Sequence, residues 1–150
     1  PMNDKVKILV VNGPNLNMLG TREPEIYGTM TLDSIDKKCR TLCKKHGFSL
    51  DWIQSNSEAV LIDTVQAACN KFDWIIINAA GFTHTSVALR DALALFTGSV
   101  IEVHLSNIHA REGFRHNSLI TAIAKGAVIG FGASSYTMAI TAIAEMQKEL

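Results

Sequence analysis

The segment Asp73-Trp74-Ile75-Ile76-Ile77-Asn78 constrains the fold of this chain more than any other. Four apolar residues in a row, three of them β-branched, form too short a run for a buried helix. They show none of the alternation expected of a strand with one wet face. A strand apolar on both sides has both faces covered, as in a parallel sheet with helices above and below. The remaining segments agree. Lys7 to Asn12 is strand-like and ends in the turn-forming Gly13-Pro14-Asn15. Thr31 reads as an N-cap for a helix carrying Leu32, Ile35, Cys39, Leu42 and His46 at helical spacing, with Gly47 where a C-cap belongs.

Further strands are expected at Phe48 to Gln54, Val100 to Leu105 and Ala127 to Phe131. Helices are expected at about Ser57 to Cys69, Thr85 to Phe96, Ser118 to Lys125 (a short one) and Ala133 to Lys148. Five strands alternating with helices imply a parallel sheet with right-handed crossovers. The fold class is therefore α/β, a flavodoxin-like three-layer sandwich with a five-stranded parallel sheet. A length of 150 residues suits one domain with a sizeable core, and no repeat, low-complexity tract or linker divides it, so residues 1–150 are read as a single catalytic domain.

Composition removes several function classes. Lysine plus arginine balances aspartate plus glutamate at 14 each, with no basic stripe for a nucleic-acid backbone. No apolar run reaches the length of a membrane span and the start has no signal-like apolar region, so the expected location is cytoplasmic. Three cysteines, Cys39, Cys43 and Cys69, contain no Cys-x-x-Cys and read as apolar filler in a reducing compartment rather than metal ligands.

Polar residues gather at the carboxyl ends of strands one, three and four, the edge where open α/β sheets bind ligands. Strand one runs into Asn12, Asn15 and Asn17; strand three into Asn78, Gly81, Thr83, His84, Thr85 and Ser86; strand four into Ser106, Asn107 and His109. Glu102 and His104 lie two apart in a strand and share a face. One reading is a carboxylate orienting an imidazole that works as general acid or base. The other is a half-exposed strand with a polar side, which a covered inner strand disfavours. His84 stands at a helix start, as a ligand group or beside simple N-caps at Thr85 and Ser86. His46, before a glycine at a helix end, reads as structural. Arg115 is either a fork for an oxygen-rich ligand or a solvated loop residue. Arg90 and Asp91 read as a surface ion pair or a subunit contact.

One loop adds chemistry of its own. Gly20-Thr21-Arg22-Glu23-Pro24-Glu25-Ile26-Tyr27-Gly28 is too polar and too punctuated to be core. Glycines bound a segment able to close over the sheet edge and exclude water. Within it, Arg22 beside Tyr27 would favour the phenolate, a usable base.

Together these residues resemble the type II 3-dehydroquinase family, the 3-dehydroquinate dehydratases of the shikimate pathway and aromatic amino acid biosynthesis. The resemblance runs from Ile8 to about Met146. It is carried by Asn12-Gly13-Pro14-Asn15-Leu16-Asn17, Arg22-Glu23-Pro24-Glu25-Ile26-Tyr27-Gly28, Thr83 to Asp91, and Glu102-Val103-His104-Leu105-Ser106-Asn107. Asn78-Ala79-Ala80-Gly81-Phe82 is a mild variation on a small-residue stretch of the family. The resemblance implies loss of water from 3-dehydroquinate to give 3-dehydroshikimate, by anti elimination through an enolate, with neither metal nor organic cofactor. It implies Tyr27 as base, Arg22 favouring its phenolate, Asn15 stabilising the enolate through an ordered water, and His104 as general acid oriented by Glu102. Asn78 and the Leu105-Ser106 pair would hold the substrate carboxylate, and His84 and Arg115 the ring hydroxyls. Asp91 would reach in from a neighbouring subunit of a homododecamer built from trimers. A non-catalytic flavodoxin-like ligand-binding or scaffold protein is the alternative. Gly13-Pro14-Asn15-Leu16-Asn17 lacks the hydroxyls and glycines of a phosphate loop, and retention of both Tyr27 and His104 weighs against a silent scaffold.

Overall fold

A computed structural model describes residues 5–21, 25 and 29–149. Five strands, β1 (Lys7–Asn12), β2 (Ser49–Gln54), β3 (Trp74–Asn78), β4 (Ser99–His104) and β5 (Gly126–Ile129), form one parallel sheet. Their spatial order is β2-β1-β3-β4-β5. Among the described residues these α-helices alternate with them: α1 (Leu32–His46), α2 (Glu58–Ala68), α3 (Val87–Ala94) and α4 (Ser134–Lys148). The expected α/β sandwich is the observed one. The chain reverses direction across the sheet between β1 and β3, whose last residues, Asn12 and Asn78, are register partners.

Strand alternation divides the core in two. Ile8, Val10, Trp74, Ile76, Ile101 and Val103 point to the face covered by α1 and α4. Leu9, Val11, Ile75, Ile77 and Val100 point to the face covered by α2 and α3. Ile75, Ile76 and Ile77 are each fully buried, the double coverage that their unbroken apolar run requires. By the same alternation Asn12 and Asn78 turn toward α4, whereas Glu102 and His104 turn toward the other layer.

Local signals set the helix ends. Thr31 accepts the Ser34 amide at 3.1 Å. Gly47, at φ 75°, lets the Phe48 amide reach back to the Cys43 carbonyl at 2.8 Å. The helix expected from Thr85 starts later, because Ser86 accepts the Leu89 amide and is the cap; 3₁₀ turn Ala80–Thr83 precedes it. The short helix expected over Ser118 to Lys125 is instead a single 3₁₀ turn, Thr121–Ile123. Ser118 caps that turn by accepting the Ile120 and Thr121 amides, and Lys125 already bonds the Val100 carbonyl to start β5, so the segment ends before successive α-helical turns can form. Cys39 and Cys43 are buried in the α1 layer, and Cys69 is half-buried. Among the described residues no helix is long and apolar enough to cross a membrane.

Candidate active site

The loops after β1, β3 and β4 enclose a cleft at the carboxyl edge of the sheet. Asn15, Asn78, His84, His104, Leu105, Ser106 and Arg115 all line it, together with Arg111. The cleft is concave and partly open to solvent, with polar and apolar groups both in its lining, as in small-molecule sites. Arg22 and Tyr27 lie outside the described residues.

The loop after β1 approaches the one after β3 closely because Gly13 has no side chain. A Cβ there would fall 2.4 Å from the Ala79 carbonyl oxygen. The Gly13 amide donates to the Asn78 carbonyl at 2.8 Å. Asn15 then adopts a left-handed conformation, φ 71°, which asparagine tolerates better than most residues. Its amide donates to Asn56 Oδ1 at 2.9 Å, holding the turn against the end of β2.

Glu102 and His104 form a buried pair, with side chains 1% and 6% exposed and His104 Nε2 2.6 Å from Glu102 Oε2. The sequence places them on one strand face; the fold supplies what surrounds them. Ser118 donates to the same carboxylate oxygen at 2.7 Å, and Thr121 donates to the other. Burial, the largest single influence on this carboxyl, pushes it up. Hydrogen bonds from His104, Thr121 and Ser118 and the attraction of His104 together outweigh it and hold Glu102 below the usual carboxylate range. An ionised Glu102 accepts the Nε2 proton and leaves Nδ1 as the ring nitrogen available to a ligand.

His84 is fixed by a different partner. Its Nδ1 lies 3.0 Å from the Asn117 carbonyl, which can only accept, so the neutral ring carries its proton there. Nε2 is left as an acceptor, suited to a hydroxyl. Ser86, the nearby cap, is committed to Glu58 and to the Leu89 amide.

After β4, Arg111 Nη1 donates to Ser106 Oγ at 3.2 Å, and Arg115 Nε donates to Glu112 Oε1 at 3.0 Å. Both arginine side chains are mostly buried, at 14% and 20% exposed, and both line the cleft, which suits an oxygen-rich anion. Asp91 does not line it. Its side chain is 58% exposed beside Arg90, 2.9 Å away, on the outer surface of α3.

Sequence spacing singles out none of Arg111, Ser118, Thr121 and Tyr136, and gives Asn12 no partner. Arg111 opens the five-residue loop segment that Arg115 closes, and only Arg115 carries a ligand reading from the sequence. Ser118 and Thr121 fall in the segment expected to form a short helix, Ser118 to Lys125, and nothing in that reading points to Glu102. Asn12 stands among the polar strand ends and Tyr136 falls within the helix expected over Ala133 to Lys148, and nothing local points from either to Asn78.

The sequence profile of the Dehydroquinase class II family matches residues 6–144. The chain is 49% identical over 144 residues to the 3-dehydroquinate dehydratase of Jannaschia sp. (strain CCS1), spanning 96% of this chain and 97% of that protein. It is 53% identical over 138 residues to the 3-dehydroquinate dehydratase of Geotalea daltonii (strain DSM 22248 / JCM 15807 / FRC-32), spanning 92% and 96%. Among solved structures, the type II dehydroquinase from Butyrivibrio crossotus DSM 2876 superposes with a TM-score of 0.89 at 43% identity, covering 91% of this chain and 96% of the other. With a profile match over residues 6–144 and relatives near half identity over more than nine-tenths of each chain, the chain belongs to the dehydroquinase class II family.

Proposed function

We propose that this dehydroquinase removes water from 3-dehydroquinate by anti elimination through an enolate, with Tyr27 as the base and His104 as the general acid. The dehydration itself follows from family membership. The division of labour among residues is our reading, and the buried Glu102–His104 pair at the cleft is the observation that carries it. Tyr27, as phenolate favoured by Arg22, takes the proton beside the ketone, and the C–H electrons move onto the ketone oxygen. Asn15 stabilises that enolate through a water. When the enolate collapses, the C–O bond of the leaving hydroxyl breaks, and protonated His104 supplies a proton from Nδ1 so that water departs. The Nε2 proton stays on the ring throughout, donated in a hydrogen bond to the ionised Glu102, which stabilises the imidazolium that must be present beforehand.

The binding groups follow the same logic. Asn78 with the Leu105-Ser106 pair holds the carboxylate; His84, through its acceptor Nε2, and Arg115 hold ring hydroxyls. Dedicated partners for each hydroxyl give strong discrimination, since an analogue lacking one strands a buried polar group. Residues 1–150 act as a single catalytic domain in a cytoplasmic enzyme. It assembles as a homododecamer of trimers, in which Asp91 reaches the cleft of a neighbour. The exposure of Asp91 away from its own cleft favours that arrangement.

The test uses purified, chelator-treated protein with 3-dehydroquinate, following the ultraviolet absorbance of the conjugated enone. Wild type gives a rising signal that survives the chelator, and Tyr27→Phe gives none while still binding substrate. Turnover by Tyr27→Phe would put the base elsewhere. A flat signal from folded wild type would favour the silent ligand-binding or scaffold reading.

A further inference from the structure

A chain of hydrogen bonds runs beneath the cleft and has a single possible direction. The Ala80 amide donates to Asn78 Oδ1 at 3.2 Å, and Asn78 Nδ2 donates to the Tyr136 hydroxyl at 2.9 Å. That hydroxyl donates to Asn12 Oδ1 at 2.6 Å, and Asn12 Nδ2 donates to the Ile53 carbonyl at 3.1 Å. Both ends are backbone groups of fixed polarity: a peptide N–H only donates and a peptide C=O only accepts. Every proton between them is therefore assigned. If either amide turned over, an oxygen would face an oxygen or an N–H would face an N–H. Asn12 and Tyr136 are fully buried and Asn78 is 3% exposed, so water cannot repair such a mismatch.

Three elements contribute one side chain each: β1 gives Asn12, β3 gives Asn78 and α4 gives Tyr136. Asn78 lines the cleft, whereas Asn12 and Tyr136 do not. We propose that Tyr136 and Asn12 are positioning residues that lock the Asn78 amide in one orientation, so that it meets the substrate carboxylate with an N–H rather than an oxygen. This rests on the proposed role of Asn78 in holding the carboxylate. Once Tyr136 has taken one Nδ2 hydrogen, the second is the donor left for a ligand. Burial also pushes the Tyr136 phenol well above its ordinary range, so it keeps the proton that it gives to Asn12.

Tyr136→Phe keeps the ring and removes only the hydroxyl, so that the Ala80 amide alone is left to orient Asn78 and the lock is weakened. The expected result is a KM for 3-dehydroquinate raised about tenfold, kcat changed by less than about threefold, and an unmoved pH–rate profile. Asn78→Ala should raise KM at least as much, and the double variant should be no worse than Asn78→Ala alone. Asn12→Ala, which removes the acceptor for the Tyr136 proton, should raise KM in the same direction and serves if Tyr136→Phe fails to fold. An unchanged KM in a folded Tyr136→Phe, or losses that multiply in the double variant, would overturn the positioning role. A second readout needs no turnover: the ¹⁵N signals of the Asn78 side-chain amide, one sharp set in wild type, should broaden or split in Tyr136→Phe. A single sharp set there overturns the proposal. Absent wild-type turnover would instead count against the functional reading.

Discussion

Replacing Glu102 by Gln isolates its charge from its shape. Ser118 Oγ already accepts the Ile120 and Thr121 amides, so its own proton must go to Glu102 Oε2. The atom in that place must stay an acceptor, which puts the glutamine carbonyl there, where it still accepts from His104 Nε2. The glutamine NH₂ then takes the other site and faces Thr121, whose hydroxyl rotates and accepts instead of donating. Geometry and tautomer survive; the negative charge does not. Hydrogen bonds to a charged partner contribute about 1.5–3 kcal/mol and neutral ones about 0.5–1.5, so the imidazolium loses roughly 1–1.5 kcal/mol of support. That corresponds to about a tenfold fall in kcat near neutral pH. Glu102→Ala strands His104 Nε2 and both hydroxyls as well, and should lose about a hundred- to ten-thousandfold, the usual worth of a general acid.

The enone absorbance assay, run across pH with melting curves as a folding control, measures both variants. A Gln variant as fast as wild type at every pH would refute the use of the charge. Equal losses in Gln and Ala would refute the separation of charge from orientation. Stability gives a second check. The folded-state carboxyl of Glu102 lies below its ordinary 4.5, so its contribution is complete above about pH 4.5 and disappears as pH falls through the depressed folded value. Glu102→Gln should therefore show a shallower fall in unfolding free energy below pH 4.5 than wild type does.

Two other perturbations probe the scaffold. Gly13→Ala drives a methyl against the Ala79 carbonyl, a backbone group with little freedom to yield. We expect a loss of about 2–3 kcal/mol and a Tm lower by roughly 5–10 °C, read by thermal unfolding; an unchanged Tm would mean the loop relaxes freely. Burial pushes the Cys39 thiol up to about 12 and the Cys43 thiol up to about 11. At pH 8 their thiolate fractions are then roughly one in ten thousand and one in a thousand. A thiol-specific reagent should label at most Cys69 in native protein and all three cysteines in denaturant. Rapid native labelling of Cys39 or Cys43 would show that α1 opens.

What the sequence alone determined was whatever depends on residues near one another along the chain. The apolar run at Ile75 to Ile77 announces a strand covered on both faces, because period and composition are local properties. Thr31 and Gly47 mark the ends of α1, because a cap is satisfied within a few residues. Glu102 and His104 share a face because the strand period is two. The collection of Asn15, Asn78, His84 and His104 at one edge follows from parallel strands all ending on the same side.

Tertiary structure decided which atoms meet. Glu102 finds Ser118 and Thr121 only because the 3₁₀ turn before β5 folds over β4, and together with His104 they hold a buried carboxyl ionised. Arg111 and Arg115 both reach the cleft only through the path of the loop after β4. Asn12 and Tyr136 lie 124 residues apart, yet they share one short hydrogen bond. A hydrogen bond depends on direction and on tenths of an ångström, and sequence spacing carries neither across elements. The polarity of a buried amide is therefore settled by the backbone groups at the two ends of its chain, which only the packed sheet brings into line.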